Sequence, residues 1–422
     1  MAYAEKRGKG DTPWRARYKK PDGTLGSEPG FRLKSAAEDW GEEQEARIRA
    51  GTWIDPDLMR THFGVFARKF MAEREKRGRT MEKRWEHLEK RILPRWEHAP
   101  LIGINWFDVD GWQMLLACDD VTRGHTVSFM STVLTAAVDA RYLPQNPLQG
   151  RRRTAAAVSA PTIVKPRASE EGEAYTPEQA LLVAERLGPA KGLHVITTAF
   201  TGINWGEGVG MHRDACLLTR RQRWEGGWFE CPTLRVVQEV AEYQDRGPNG
   251  EKLPTALRLE PTKNPWRVRD LDLPPFLARL WRYHLADWPY EWPLSTENGK
   301  WWRRSNWLKQ LRPAADGRPE RLKRQGVSAR AKWEPIAPGM TMRSLRHLHD
   351  SLQAQIGVKA PLEYEQAGHK RAGIKAVYQH PTPEMRQERL TGLEEIYWRA
   401  MRSVGLRAHW GRVDLVKRPS GS

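Results

Sequence analysis

Between Thr61 and Pro147 the apolar positions fall at helical spacing. Phe63, Phe66 and Phe70 recur at three and four residues. Leu88 and Ile92 follow, accompanied by Arg84, Lys90, Arg91 and Arg95. Val127, Met130, Val133, Leu134, Ala137 and Val138 trace a third stripe. Each stripe predicts an amphipathic helix with its apolar side inward. The run Arg141-Tyr142-Leu143-Pro144-Gln145-Asn146-Pro147 ends this block, because residues before proline avoid the helical region.

The first 56 residues read differently. Trp14-Arg15-Ala16-Arg17-Tyr18 alternates as a strand, Lys20-Pro21-Asp22-Gly23 reads as its turn, and a second strand is expected near Phe31. Ser35 and Glu38 predict a capping box opening a helix to about Arg49, and Gly51 ends it. Residues 149–174 hold Arg151-Arg152-Arg153, small residues, two prolines and an acidic patch. Little there can build a core, so a linker is expected. Thr176-Pro177-Glu178-Gln179 opens the next folded part with a capping box and a proline in the first turn. A helix to Leu187 and another over His194 to Gly202 are expected. Strands should follow near Trp228 to Leu234 and Ala256 to Leu273, with helices dominant from Phe276 onward.

Length and charge narrow the class. A chain of 422 residues exceeds one ordinary core and implies two to three domains. A net charge of +18 favours a polyanionic partner. No run of eighteen apolar residues exists, so no membrane span is expected, and the N-terminus lacks the apolar stretch of a signal peptide. Cys118, Cys216 and Cys231 are too scattered for a disulfide framework or a zinc site, which fits a reducing cytoplasm. Trp occurs twenty times, and core packing and cation–π contacts account for most of it more cheaply than base stacking.

Near the C-terminus, Arg343-Ser344-Leu345-Arg346-His347 is followed by Ala367-Gly368-His369 and then Ala376-Val377-Tyr378. Arginine offers a planar fork of donors to phosphate oxygens. Histidine donates or moves a proton, and tyrosine can serve as a covalent nucleophile. Singly, each is more often a packed or solvated side chain. Their order and spacing resemble the catalytic C-terminus of the tyrosine recombinases of the phage-integrase type.

The resemblance runs from about Tyr3 to Arg402 and is most specific in the last third. It implies an α+β, mainly α fold: an arm-type DNA-binding module of strands and one helix (1–56), a helical core-binding domain (61–148), the linker (149–174), and a mainly helical catalytic domain with a small antiparallel sheet (175–402). A basic tail (403–422) follows. It implies no cofactor and no metal. The tyrosine attacks the scissile phosphate, forms a 3′-phosphotyrosyl ester and releases a 5′-hydroxyl, and another strand end later reverses the step. Tyr378 would be the nucleophile, Arg346 the second phosphate-clamping arginine, and His369 a phosphate donor. Lys263, the one lysine in the turn from Glu260 to Arg267, would be the general acid.

Two positions depart from the family pattern. Thr201-Gly202-Ile203-Asn204-Trp205-Gly206-Glu207 matches the first catalytic box except that Asn204 stands where the family has arginine. Asparagine brings a neutral donor and no charge. Arg343 stands where the second box usually begins with histidine. It still donates to phosphate and, with Arg213, is a candidate for the missing charge. The implied function is site-specific integration or excision of DNA, weakened by Asn204. The implied partners are double-stranded attachment sites, a homotetramer on DNA and a recombination directionality factor, in the cytoplasm at the nucleoid. The other reading is a recombinase-derived protein that occupies attachment sites without cutting.

Overall fold

The computed structural model describes residues 2–8, 10–73, 78–150, 175–224, 227–247, 251–369 and 380–411. Most of the expected linker and tail lies outside them. The chain divides into two compact units, residues 1–161 with 246–252, and the remainder.

The first unit opens with an antiparallel sheet of β1 (Tyr3–Lys6), β2 (Trp14–Lys19) and β3 (Leu25–Phe31), in that order, covered by α1 (Lys34–Arg49). The expected strand and turn are present, and β1 is an additional strand. Tyr18 is buried between the edges of Trp40 and Trp53. The capping box expected at Ser35 does not form. The helix starts two residues earlier, and its cap position is Leu33, which has no side-chain acceptor.

Helices α2 (Phe63–Ala72), α3 (Arg79–His87), α4 (Trp106–Met114) and α5 (Asp120–Asp139) enclose a second core. It contains Phe63, Phe66, Phe70, Leu88, Ile92, Val127, Met130, Val133, Leu134 and Ala137, which are the expected stripes. After α3 the chain passes through a wide π turn, Leu88–Ile92, before the short helix Leu93–Trp96. Pro94 has no amide proton to give the preceding turn, and a wide turn absorbs that loss.

The second unit is built on α6 (Pro177–Leu187) and α7 (Pro189–Thr201), with the expected Thr176–Gln179 capping box present. The one-turn helix α8 (Trp205–Val209) follows. Strands β4 (Cys216–Leu217), β7 (Thr233–Val236) and β10 (Arg269–Asp272) form one sheet, with β7 central. β5 (Arg221–Trp224) and β6 (Gly227–Glu230) form a hairpin, and β8 (Gln238–Tyr243) pairs with β9 (Ala256–Pro261). Helices α9 (Pro275–Asp287), α10 (Arg304–Asp316), α11 (Met342–Gln355), α12 (Ala360–Ala367) and α13 (Pro383–Ser403) complete the unit. Its core joins Phe200 and Phe276 with Tyr397, whose ring stacks on Phe276 at 3.6 Å between centroids.

The strand region expected over Ala256–Leu273, with its turn at Glu260–Arg267, is interrupted at 262–268. Gln238 pairs with Pro261 and Val236 pairs with Arg269, so Val237 alone faces residues 262–268. That segment leaves the ladder as an excursion and returns. Lys263 therefore sits on an outward bulge between two strands that share one partner run, not at a hairpin tip. Asn264-Pro265 supplies the reason: proline has no donor for a ladder.

Candidate active site

Helix α7 stops at Gly202, whose backbone is left-handed (φ 65°). A side chain there would be strained and would meet the His349 ring at 2.6 Å. The chain then turns through Ile203 to Asn204, which sits at the N-cap of α8. Asn204 does not face outward as a free donor. Its backbone N–H donates to Glu207 Oε2 (3.0 Å) and its Nδ2 to Glu207 Oε1 (2.9 Å).

Glu207 is also gripped by Arg269, through Nη1 to Oε1 (3.1 Å) and Nη2 to Oε2 (2.8 Å). The two side chains are 0 % and 2 % exposed. Burial alone would raise the Glu207 pKa. The charge and hydrogen bonds of Arg269, with those of Asn204, hold it below the ordinary glutamate value. Arg269 is fully committed, since its Nε also donates to the Gln366 carbonyl (2.8 Å) and its Nη1 to the Arg267 carbonyl (2.9 Å).

Helix α11 begins at the Thr341–Ser344 capping box, which places Arg346 in its second turn. The half-buried Arg346 guanidinium donates to the Gly202 carbonyl and, at 2.8 Å, to the Ala367 carbonyl. It thus ties the first box to the end of α12. Burial and then the nearby Arg269 charge lower its pKa, though an arginine stays charged in any case. α12 ends at Gly368, left-handed at φ 65°, and His369 follows with its N–H on the Tyr364 carbonyl (3.0 Å). Partial burial, then Arg346 and Arg267, lower the His369 imidazole below its ordinary value, which favours the neutral ring at pH 7. Tyr378 lies outside the described residues.

A buried polar scaffold stands behind these groups. Gln366 donates to the Thr201 carbonyl (3.0 Å) and accepts from Arg389 (2.8 Å). Asp272 takes Arg386 (2.7 Å) and Arg389 (2.8 Å). The fixed backbone of residues 201–207 and 366–369 follows from this network.

The structure thus brings Asn204, Arg346 and His369 to one place. Lys263 is exposed on the excursion beside it. Of the two candidates for a substitute charge, Arg213 is engaged at the end of α9 and Arg343 lies one turn before Arg346 on α11. Arg213 donates to the carbonyls of Leu285 (2.9 Å), Trp288 and Tyr290, pinning the end of α9. Arg343 is exposed, with its Nε 3.4 Å from the His347 ring. Sequence reasoning did not single out Arg269 or Gln366. Their roles depend on partners 62 and 165 residues away, which no local pattern reveals.

It also missed a basic ribbon. Residues 318–333 fold back through pairs Arg318–Trp333, Arg321–Arg330 and Arg324–Val327. Six cations, Arg318, Arg321, Lys323, Arg324, Arg330 and Lys332, share it with one acid, Glu320. Arg321 and Arg330 stand directly opposite each other, an arrangement that destabilises an isolated ribbon.

No family model matches the chain. The integrases of Mycobacterium phage D29 and Mycobacterium phage FRAT1 are each 25% identical to it over 223 residues. The match covers 53% of this chain and 51% and 58% of theirs, so the chain spans about half the length of the curated relatives it matches. Among solved structures, the Tn1549 transposon integrase in complex with transposon right end DNA matches with a TM-score of 0.52 at 13% identity. That match covers 78% of this chain and 99% of the other. The same integrase with a circular intermediate DNA gives 0.51 at 13% identity, over 79% and 99%. The chain shares the mainly helical fold, with small antiparallel sheets, of that integrase. In sequence it is similar to phage integrases.

Proposed function

We propose that the protein is a site-specific DNA recombinase of a mobile element, cutting and rejoining duplex attachment sites through a 3′-phosphotyrosyl intermediate. The observation that carries this reading is the convergence of Arg346, His369 and the Asn204 turn, drawn from boxes up to 165 residues apart and fixed by the Arg346 bridge from Gly202 to Ala367.

In this reading the Tyr378 oxygen forms a bond to phosphorus and releases its proton to solvent. The bond from phosphorus to the 5′ oxygen breaks, and Lys263 gives that oxygen a proton. Arg346 stabilises charge on the non-bridging oxygens, and the neutral His369 donates to one of them. A 5′-hydroxyl from another strand later attacks the phosphotyrosine and frees Tyr378. The N-terminal strand module would hold distal arm sites, and the 61–148 helices would clamp the core site. Assembly as a tetramer on DNA and control by a directionality factor belong to the same proposal, as does a location in the cytoplasm. Among the described residues, no helix is long and apolar enough to cross a membrane.

The test is covalent capture. Full-length protein is mixed with a pool of nicked duplexes of randomised sequence, and denaturant-resistant protein–DNA product is scored. Product is expected. Its absence, with sequence-selective binding retained, favours the second reading: a protein that occupies attachment sites without cutting. Asn204 favours that reading, because loss of a phosphate-stabilising arginine costs about 10³–10⁵ in rate.

The basic ribbon gives a separate prediction. A polyanion would relieve the Arg321–Arg330 repulsion, so the ribbon fits the DNA backbone. Replacing both residues by Gln should weaken duplex binding and flatten the slope of log affinity against log salt by about 0.9 per lost phosphate contact. The melting temperature should not fall. An unchanged slope in a mobility-shift titration would remove the ribbon from the DNA interface.

A further inference from the structure

We infer that Arg267 supplies the positive charge that Asn204 lacks, and places it on the scissile phosphate opposite Arg346. The inference rests on the recombinase reading above and adds a residue to it.

Both feet of the 262–268 excursion stand on the first catalytic box. At one foot, Pro261 pairs with Gln238, next to Glu239. Glu239 and Val240 pack on the turn so closely that a Cβ on Gly206 would lie 2.8 Å from the Val240 carbonyl and 3.6 Å from the Glu239 carboxylate. At the other foot, Arg269 clamps Glu207. The Arg267 carbonyl, Arg269 Nη1, Glu207 Oε1 and Asn204 Nδ2 form one hydrogen-bonded row, with links of 2.9, 3.1 and 2.9 Å. Residue 267 is therefore two groups from the side chain that replaced the family arginine.

The neighbouring arginines are all committed. Arg269 is neutralised by Glu207, Arg235 by Asp270, Arg386 by Asp272 and Glu365, and Arg389 by Asp272. Arg267 is half-buried, and among the described residues its guanidinium makes no direct ion pair, although its charge is felt by the Glu239 carboxyl. Its charge also acts on Arg346 and His369, disfavouring the protonated form of both. A guanidinium that faces Arg346 and makes no direct ion pair is free to take an anion from outside. A phosphate between Arg267 and Arg346 would turn that repulsion into attraction, which is how preorganised charge lowers a barrier. The same excursion carries Lys263, so one segment would bring both the substitute clamp and the proton donor.

The experiment compares wild type, Arg267→Ala, Arg267→Gln, Arg267→Lys, Asn204→Arg and the double variant Asn204→Arg/Arg267→Ala. Each is tested on the nicked randomised pool, with melting temperature and duplex affinity measured alongside. Arg267→Ala and Arg267→Gln should lower covalent product by about 10²–10³, while duplex affinity changes far less, as expected for one phosphate contact among many. Arg267→Lys should retain intermediate activity, and Asn204→Arg should restore product in the Arg267→Ala background. Wild-type rates in Arg267→Ala would overturn the inference and leave the recombinase reading standing. So would an inert wild type whose Asn204→Arg variant cleaves. No product from any of the six would overturn both.

Discussion

Tyr378→Phe is expected to abolish covalent joining to DNA and to leave duplex binding intact. The change removes one hydroxyl and keeps the ring, so the oxygen proposed as the nucleophile is lost with the smallest change of shape. In the proposed mechanism the 3′-phosphotyrosyl ester is built from that oxygen, so no other group replaces it within the step. The loss should therefore be complete at the sensitivity of the assay, unlike the graded losses expected from the phosphate-binding side chains. The informative comparison is with Tyr364→Phe. Tyr364 is 41% exposed on α12, and its carbonyl receives the His369 N–H. It is thus the nearest alternative phenol by sequence within the same region. Denaturant-resistant product should persist in Tyr364→Phe and vanish in Tyr378→Phe. The opposite pattern would move the nucleophile to α12 and dissolve the role given to the Ala376-Val377-Tyr378 element.

How far the sequence revealed this architecture depends on how local the cause was. The apolar stripes of the 61–148 block became a core because helical periodicity is written within each segment. The frame of the first box was legible for a similar reason. Gly202 is needed where α7 ends in the left-handed region, and Glu207 lies one turn after Asn204. The Thr176–Gln179 cap formed, whereas the Ser35–Glu38 cap did not, since its helix begins at Lys34. A capping pattern fixes a helix start only when packing agrees with it. The excursion at 262–268 was less legible. A hairpin turn is expected over Glu260–Arg267, and only the pairing of β8 and β7 with separate segments shows it to be an excursion within one ladder. The basic ribbon was invisible for another reason: like charges opposed across a ribbon contradict local stability rules, so helix was the natural expectation there. The largest gap was charge bookkeeping. Asn204 looked like the loss of a cation from an otherwise intact box. The structure shows Arg269 arriving from 62 residues away to neutralise Glu207, the acid of that box.

Glu207→Gln is expected to destabilise the second unit by about 3–5 kcal/mol, the range for removing one partner of a buried ion pair. The isosteric amide retains the shape but leaves Arg269 as a buried, uncompensated charge. Arg269 cannot swing out to water without releasing the Gln366 and Arg267 carbonyls, so the loss should not be relieved by rearrangement. Chemical denaturation at pH 7, followed by tryptophan fluorescence, gives the comparison. The pH dependence gives a second arm. The Glu207 carboxyl titrates below its ordinary value in the folded protein. Its contribution is therefore complete above the unfolded glutamate pKa of about 4.3 and is lost as pH falls through the lower folded value. The stability gap between wild type and Glu207→Gln should be widest near neutrality and narrow as the solution is acidified below that range. Because Arg269 also holds the backbone at residues 267 and 366, the variant should lose covalent product even at temperatures where it remains folded. Equal unfolding midpoints at pH 7 would show that the ion pair is not what fixes the first box. The positions of Asn204 and Arg267 would then have to be held by the Arg346 bridge alone.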